Sequence, residues 1–202
     1  MNENEELTAY SELYLPKMAK KDSFIKQYRS NKKEVGAIAP SSKFLCNRMM
    51  APINFHRADV IVELGPGTGV FTKEIINRMK PSSRLLVFET NEKFYQKLKE
   101  EINDDRVTIY NESAELVAEK ISESSLNEAD VVVSSLPYTV FPIRLKVNIL
   151  NACLKAMAKD AIYVQFQYSL NAHKLLKKKF RKVTLDFTPI NMPPAVVYRC
   201  WK

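Results

Sequence analysis

Short apolar runs alternate with longer amphipathic segments along most of the chain. A mostly β-branched run such as Val60–Leu64 is typical of a parallel strand that is covered on both faces. The pattern predicts strands at residues 59–64, 84–88, 106–110, 130–134, 160–166, 182–190 and 195–200. It predicts helices near residues 69–79, 91–102, 113–121, 142–158 and 169–180.

The order of these elements predicts the fold class. Repeated strand–helix units with apolar strands indicate an α/β protein built on a doubly wound, mostly parallel sheet. Only a turn at Met192–Pro194 separates the last two predicted strands, so we expect them to form a closing antiparallel hairpin. We place this domain at residues 36–202 and a helical extension at residues 1–35.

The N-terminal extension is basic and amphipathic in its second half. Pro16 suits the first turn of a helix, and an apolar stripe then follows at helical spacing, formed by Met18, Phe24, Ile25 and Tyr28. Lysines and arginines crowd residues 17–33, the pattern of a helix that lies on a membrane surface. A surface helix that packs the same stripe on the domain is equally compatible with the sequence.

Composition narrows the possible classes of protein. With 202 residues, 46% of them hydrophobic and 27% charged, the chain suits one globular domain. It lacks an apolar run of about 18 residues, and its acidic, polar N-terminus is unlike a signal peptide. Cys46, Cys153 and Cys200 are widely spaced, which indicates free thiols in a reducing compartment and no metal site. We therefore expect a cytoplasmic protein.

The charge balance favours an anionic partner. A net charge of +8 and a pI near 9.3 suit either nucleic acid or the surface of an anionic membrane. A second basic run, Lys174–Lys182, is either part of such a contact or a solvated face.

A glycine-rich turn follows the first predicted strand. Gly65, Gly67 and Gly69 let the backbone turn tightly and let a ligand approach closely, and the next helix N-terminus offers free N–H donors. The dinucleotide fingerprint G-x-G-x-x-G is not matched, because Val70 stands at its third glycine position.

The stretch Glu63-Leu-Gly-Pro-Gly-Thr-Gly69 resembles motif I of the class I S-adenosylmethionine-dependent methyltransferases. The resemblance implies a Rossmann-like fold with a seven-stranded, mostly parallel sheet, an antiparallel last strand and helices on both faces. It also implies S-adenosyl-L-methionine as cofactor, S-adenosyl-L-homocysteine as product, and cofactor contacts from Glu63, Gly65, Gly67, Thr68 and Gly69. A carboxylate at Glu63 suits a ligand with ammonium and sulfonium centres and would repel a pyrophosphate.

Further cofactor contacts are expected where the later strands end. Glu89 follows the second strand about 20 residues after the turn, the spacing of an acid that binds ribose hydroxyls, and we group Thr90 with it. The segment Glu112, Ser113 and Ala114 follows the third strand, where the family holds the adenine ring; helix capping is the alternative role for Ser113.

The segment before the first strand supplies two more candidates. Pro40-Ser41-Ser42 is a helix-start signal, and capping alone would explain both serines. The family places a loop here that closes over the methionine end of the cofactor, so we assign Ser41 and Ser42 to cofactor binding.

The fourth strand ends in Ser134-Ser135-Leu136-Pro137-Tyr138, beyond the carboxyl end where ligands bind such sheets. We group Ser134 with the cofactor-binding residues. Ser135–Tyr138 is similar to the N/D/S-P-P-Y/F or N-L-P-Y motif of amino-group methyltransferases. That resemblance implies that Ser135, Leu136 and Pro137 hold the target nitrogen and that the Tyr138 ring encloses the substrate, stabilising the developing ammonium. A turn with one packed tyrosine is the alternative.

Two families share this set of motifs. The ribosomal RNA adenine N6-dimethyltransferases carry N-L-P-Y at Ser135–Tyr138 and continue into a helical RNA-binding lobe, which we do not expect because the chain ends at Lys202. The bacterial phospholipid N-methyltransferases are similar along most of the chain. Their resemblance is carried by Phe24–Tyr28, Val35–Ser42, Val62–Phe71, Val133–Pro137, Val164–Tyr168 and Asn191–Arg199.

The phospholipid resemblance implies methylation of phosphatidylethanolamine toward phosphatidylcholine at the inner face of the cytoplasmic membrane. The reaction would be an SN2 transfer from the sulfonium to a neutral amine, with Tyr138, Tyr168 or water relaying the proton. Within this family, ornithine lipids and other amine-bearing lipids are alternative substrates. The alternatives outside it are RNA adenine methylation and a non-catalytic, cofactor-binding protein.

Overall fold

The computed structural model describes residues 40–188 and 194–202. Within them the first helix, α1, runs over Pro40–Met50. The other helices are α2 (Val70–Arg78), α3 (Glu92–Glu101), α4 (Val117–Glu123), α5 (Ile143–Ala156) and α6 (His173–Lys179). The strands are β1 (Val60–Leu64), β2 (Arg84–Phe88), β3 (Val107–Tyr110), β4 (Ala129–Ser134), β5 (Met157–Gln167), β6 (Lys182–Thr188) and β7 (Ala195–Trp201).

All of these strands join one seven-stranded sheet in the order β3-β2-β1-β4-β5-β7-β6. Neighbouring strands from β3 to β5 pair in parallel, whereas β7 is antiparallel to both β5 and β6. The predicted Rossmann-like α/β fold with an antiparallel last strand is therefore confirmed. The proposed N-terminal extension and most of the predicted turn at Met192–Pro194 lie outside the described residues.

Each face of the sheet carries its own apolar core. Val60, Val62 and Leu64 of β1 pack on the side of α4 and α5, whereas Ile61 packs on the side of α1 and α2. Every residue of β1 is buried, including Glu63. This burial explains the mostly apolar run in the sequence, because a central strand that is covered on both faces has no side that faces solvent.

Several element boundaries differ from the sequence prediction. The helix expected to end at 158 ends at Ala156, and β5 begins at Met157, because Met157 pairs with Ala129 across an irregular register. The helix expected at 113–121 starts as a 3₁₀ turn at Ala114–Leu116 before α4, and a second 3₁₀ turn at Leu170–Ala172 precedes α6. In the described part, no helix is both long and apolar enough to cross a bilayer.

The three cysteines are free thiols buried in the two cores, at 6%, 0% and 0% exposure for Cys46, Cys153 and Cys200. Burial raises the pKa of Cys46 and of Cys153 to about 12. We expect none of the three to react with a thiol-specific disulfide reagent at pH 8 in the native state, since the thiolate is the nucleophile. All should react once the protein is unfolded in denaturant. Rapid labelling of a native thiol would contradict this packing.

Candidate active site

The glycine turn after β1 has a backbone shape that side chains rarely adopt. The φ angles of Gly65, Gly67 and Gly69 are 68°, 58° and 78°, in the left-handed region where a Cβ is unfavourable. The Gly65 N–H donates to the Phe88 carbonyl at 2.9 Å, and the Gly69 N–H donates to the Pro66 carbonyl at 3.1 Å. The turn is therefore fixed to the end of β2, and α2 begins directly after it at Val70.

The same turn touches the segment that follows β4. A Cβ added to Gly65 would lie 2.8 Å from Cδ2 of Leu136, so any other residue at this position would force the Leu136 side chain to move. Leu64 pairs with Ser134 in the sheet, and the Ser135 N–H donates to the Leu64 carbonyl at 2.9 Å. The structure thus brings the motif I turn and Ser135–Tyr138 together at the carboxyl edge of the sheet.

Glu89 lies at the end of β2 with its carboxylate against the glycine turn. Its Oε2 accepts from the Gly67 N–H at 3.0 Å, and its Oε1 accepts from the Asn91 N–H at 2.8 Å. The residue is only 7% exposed. Because a carboxylate has about four acceptor positions, Glu89 can still accept hydrogen bonds from a ligand. The neighbouring Thr90 is exposed, and Thr68 in the turn is half-buried.

Glu63 and Ser134 occupy the last part of β1 and β4 and are both fully buried. Alternation along β1 places Glu63 on the same face as Ile61, toward α1. Its charge contributes to the raised pKa of Cys46, after the larger effect of burial. The Ser134 Oγ accepts from the Leu136 N–H at 3.4 Å, which ties the end of β4 to the segment Ser135–Tyr138.

Two strands, β2 and β1, lie between β3 and the strand β4 that leads into Ser135–Tyr138. The Glu112 Oε1 is 3.3 Å from the Lys120 Nζ, whereas its Oε2 is buried and has no hydrogen-bond partner among the described residues. The Ser113 Oγ accepts from the Glu115 N–H at 3.2 Å and so caps the 3₁₀ turn, as the capping alternative predicts for this side chain. Ala114 is buried in the core.

Tyr138 lies in the core instead of at the surface. Its side chain is 1% exposed, and its hydroxyl is 3.0 Å from the Tyr163 hydroxyl. Burial raises the pKa of both phenols, so both remain protonated at neutral pH. Tyr168 follows β5, is half-buried and packs edge-on against Phe166 with ring centroids 5.5 Å apart. Tyr138 is therefore packed in the core, as the alternative interpretation of this segment predicts. That the Tyr138 ring contacts a substrate stays a prediction.

Sequence reasoning missed two residues of β5 that reach this segment. The side-chain amides of Gln165 and Gln167 both donate to the Leu136 carbonyl, at 3.0 and 2.8 Å. Gln165 is 0% and Gln167 is 4% exposed. Polar residues at alternating positions of an otherwise apolar strand are the signal that could have identified them.

The sequence analysis also assigned Ser41 and Ser42 to cofactor binding and expected no metal site. Helix α1 begins at Pro40, but the side chains of Ser41 and Ser42 lie outside the described residues. Among the residues that the structure describes, no group of three or more His, Cys, Asp or Glu side chains is arranged to hold a metal ion.

The fold is that of the class I S-adenosylmethionine-dependent methyltransferases. The structure resembles the O-methyltransferase from Bacillus cereus crystallised with SAH, at a TM-score of 0.67 and 13% identity over 98% of this chain and 97% of that one. It also resembles the N-methyltransferase NodS from Bradyrhizobium japonicum WM9, at a TM-score of 0.64 and 11% identity over 81% of this chain and 97% of that one. At these identities the likeness shows the fold.

The chain belongs to the ribosomal RNA adenine dimethylase family, whose model matches residues 29–185. It is 28% identical over 179 residues to the ornithine lipid N-methyltransferase of Singulisphaera acidiphila, covering 88% of this chain and 93% of that protein. It is 28% identical over 145 residues to the ribosomal RNA small subunit methyltransferase A of Sulfurihydrogenibium sp., covering 64% of this chain and 51% of that protein. The protein is therefore an S-adenosylmethionine-dependent N-methyltransferase.

The residues at the sheet edge fit this cofactor chemically. Glu63 provides a buried carboxylate for cationic groups, and Glu89 keeps acceptor positions for ribose hydroxyls. The buried Oε2 of Glu112, for which the described part of the chain offers no hydrogen-bond partner, suits an amine donor such as the exocyclic amine of adenine. The three positive-φ glycines keep Cβ atoms away from the turn on which the ligand would lie.

Proposed function

We propose that the protein methylates the amine of a phospholipid headgroup, phosphatidylethanolamine first, at the inner face of the cytoplasmic membrane. The observation that carries the proposal is the match to the ornithine lipid N-methyltransferase, which extends over 88% of this chain and 93% of the relative. Two relatives that are RNA methyltransferases match smaller parts of this chain, 64% and 60% of it. Within the proposal, residues 36–202 form the catalytic domain and residues 1–35 form a membrane-contacting extension.

The position of Tyr138 supports a flexible aliphatic amine over a planar base. A nucleic-acid base is commonly held by stacking on an aromatic face. The Tyr138 ring is instead packed in the core, and its hydroxyl is hydrogen-bonded to the Tyr163 hydroxyl. An aliphatic amine does not need such a face. We therefore assign Ser135–Tyr138 as the acceptor segment. Within it, Ser135, Leu136 and Pro137 hold the acceptor amine, and Tyr138 supports them from the core.

Two features of the protein surface support a membrane as the partner. Ile143, at the start of α5 and five residues after Tyr138, is 65% exposed although it is a large apolar side chain. Helix α6 carries four lysines and no acid over Lys174–Lys179. Each basic residue near an anionic bilayer contributes about 1 kcal/mol to binding.

The chain's residues act on the reaction mainly by orientation. When bound, S-adenosylmethionine supplies an electrophilic methyl group on a sulfonium centre. The acceptor segment would hold the amine against it, while the buried wall of β4 and β5 excludes water. The substrate amine must be neutral to react, and an ordinary amine has a pKa of about 10.

We expect the rate at low lipid concentration to rise about tenfold per pH unit from pH 7 to pH 9. Tyr138 and Tyr163 have pKa values raised by burial, so neither phenolate is available to deprotonate the substrate at these pH values. The measurement is kcat/KM against pH on vesicles of fixed anionic content. A plateau that begins below pH 8 would instead reveal a protein base.

A second candidate function is methylation of adenine in ribosomal RNA. The specific observation that favours it is the family model that matches residues 29–185. The net charge of +8 would also suit RNA phosphates. Against it, the matches to the RNA methyltransferases cover 64% and 60% of this chain, less than the 88% covered by the match to the lipid methyltransferase.

The deciding experiment follows a methyl label from S-adenosylmethionine into separate acceptors. Anionic vesicles that contain phosphatidylethanolamine, vesicles that contain ornithine lipid, and unmodified ribosomal RNA are offered in parallel. Label in either lipid supports the proposal and identifies the headgroup. Label in RNA alone overturns it in favour of the second candidate.

A further inference from the structure

Strand β5 places three polar residues on one face directly beside the acceptor segment. Tyr163, Gln165 and Gln167 alternate along the strand with apolar neighbours that face the opposite core, and all three are at most 4% exposed. Ser134 pairs with Gln165 in the parallel register, so this face of β5 meets the chain just as it leaves β4. Buried amides cost free energy unless they are hydrogen-bonded, so their contacts need an explanation.

Those contacts form one directed chain of hydrogen bonds. The Tyr163 hydroxyl donates to Gln165 Oε1 at 2.6 Å. Because a phenol has a single hydrogen, the Tyr138 hydroxyl must then donate to the Tyr163 oxygen, 3.0 Å away. The same arrangement fixes the orientation of the Gln165 amide, whose Nε2 faces the Leu136 carbonyl at 3.0 Å. The chain begins and ends within the segment Leu136–Tyr138.

The Leu136 carbonyl is the point where these bonds converge. It accepts from the amides of Gln165 and Gln167 at 3.0 and 2.8 Å, and from the Tyr138 N–H at 2.9 Å. A carbonyl oxygen has two lone pairs, so three donors saturate it. A substrate amine cannot bind this carbonyl without displacing a donor.

We propose that Gln165 and Gln167 are positioning residues that hold the Leu136 carbonyl and thereby orient Ser135–Tyr138 toward the acceptor amine. The inference rests on the proposed assignment of that segment as the acceptor site. Leu136 is also the residue whose side chain faces Gly65, 2.8 Å from the place of a Cβ there. The two amides therefore set the position of the acceptor segment relative to the glycine turn as well.

The first test measures the carbonyl itself and needs no acceptor. Labelling with carbonyl-¹³C leucine and ¹⁵N proline selects Leu–Pro peptide bonds, which occur at Leu15–Pro16 and Leu136–Pro137, so the first serves as an internal reference. Gln167→Met removes the donor at similar volume and should move the Leu136 carbonyl signal upfield. The matched control Gln96→Met changes an exposed glutamine of α3 and should leave it in place. An unmoved signal in Gln167→Met overturns the proposal.

The second test asks whether the carbonyl contact affects turnover. We expect Gln167→Met to lower kcat about tenfold with unchanged affinity for S-adenosyl-L-homocysteine, as for one lost buried hydrogen bond. In Gln167→Glu the protonated carboxyl can donate to the carbonyl, and its carboxylate cannot. The activity of Gln167→Glu relative to wild type should therefore recover as pH falls, whereas the relative activity of Gln167→Met should stay flat.

These results separate a positioning role from a structural one. A lowered melting temperature with normal kcat and a flat Gln167→Glu ratio would mean that the amides only stabilise the fold, and would overturn the proposal. If the wild-type enzyme methylates RNA and no lipid, the proposed function fails by itself. The same kinetic comparison is then made with RNA as the acceptor. The Leu136 carbonyl signal still tests the contact with Gln167, because that measurement needs no acceptor.

Discussion

Replacing Gly67 with valine is expected to abolish measurable binding of S-adenosylmethionine while the protein remains folded. Gly67 has a φ of 58°, and its N–H donates to Glu89. A β-branched residue in the left-handed region costs roughly 1–2 kcal/mol, so the turn should relax away from this conformation. The relaxed turn would lose its hydrogen bond to Glu89 and would place a branched side chain where the cofactor must approach.

The size of the effect differs for binding and for stability. A cost of roughly 1–2 kcal/mol is small beside a typical free energy of unfolding of about 5–15 kcal/mol, so the melting temperature should fall only modestly. Binding should fall at least about a hundredfold, because the strain adds to the lost contact with the ligand. Calorimetric titration with S-adenosyl-L-homocysteine and a thermal melt measure the two effects separately.

Ser82→Val is a suitable control, since Ser82 lies exposed in the turn between α2 and β2 and gains a branched side chain far from the site. It should bind the cofactor as the wild type does. Tight binding by a folded Gly67→Val variant would show that the ligand does not lie on this turn, and the assignment of motif I would have to be abandoned.

The sequence could predict the sheet because its central strands are buried on both faces. β1 and β2 match the predicted apolar runs within one residue, since a short apolar run between turn residues is typical of a strand that is buried on both faces. The predicted end of α5 was wrong by two residues and the predicted start of β5 by three. Met157 is as compatible with a helix as with a strand, and its pairing with Ala129 is a tertiary effect that local pattern does not contain.

Some residues of the candidate site could likewise be predicted from the sequence, whereas others could not. The glycine turn and Glu89 follow from spacing alone, because a strand end, a turn and the next strand end are adjacent in any βαβ unit. The roles of Gln165 and Gln167 depend on the register of β4 against β5, which a single sequence does not give. For the same reason the sequence left two places open for Tyr138, facing a substrate or packed in the core, and the structure places it beside Tyr163.

Removing the Glu89 carboxylate should have the second large effect, and it tests the other half of the cofactor site. In Glu89→Ala, the Gly67 and Asn91 N–H groups lose their acceptor and the ribose would lose its carboxylate partner. Hydrogen bonds to a charged group contribute about 1.5–3 kcal/mol each, so we expect affinity for S-adenosyl-L-homocysteine to fall about a hundredfold. Glu100→Ala removes the same charge from an exposed position on α3 and should bind normally.

A loss of affinity alone would not distinguish a ribose contact from a collapsed turn. A double-mutant cycle with 2′-deoxy S-adenosyl-L-homocysteine separates them, because removing the ligand hydroxyl deletes the contact without touching the turn. If the carboxylate binds the hydroxyl, the deoxy ligand should bind the wild type about tenfold more weakly but bind Glu89→Ala as the full ligand does. An equal penalty in both proteins would assign Glu89 to the support of Gly67, and the ribose would then have to be bound by another residue of the site.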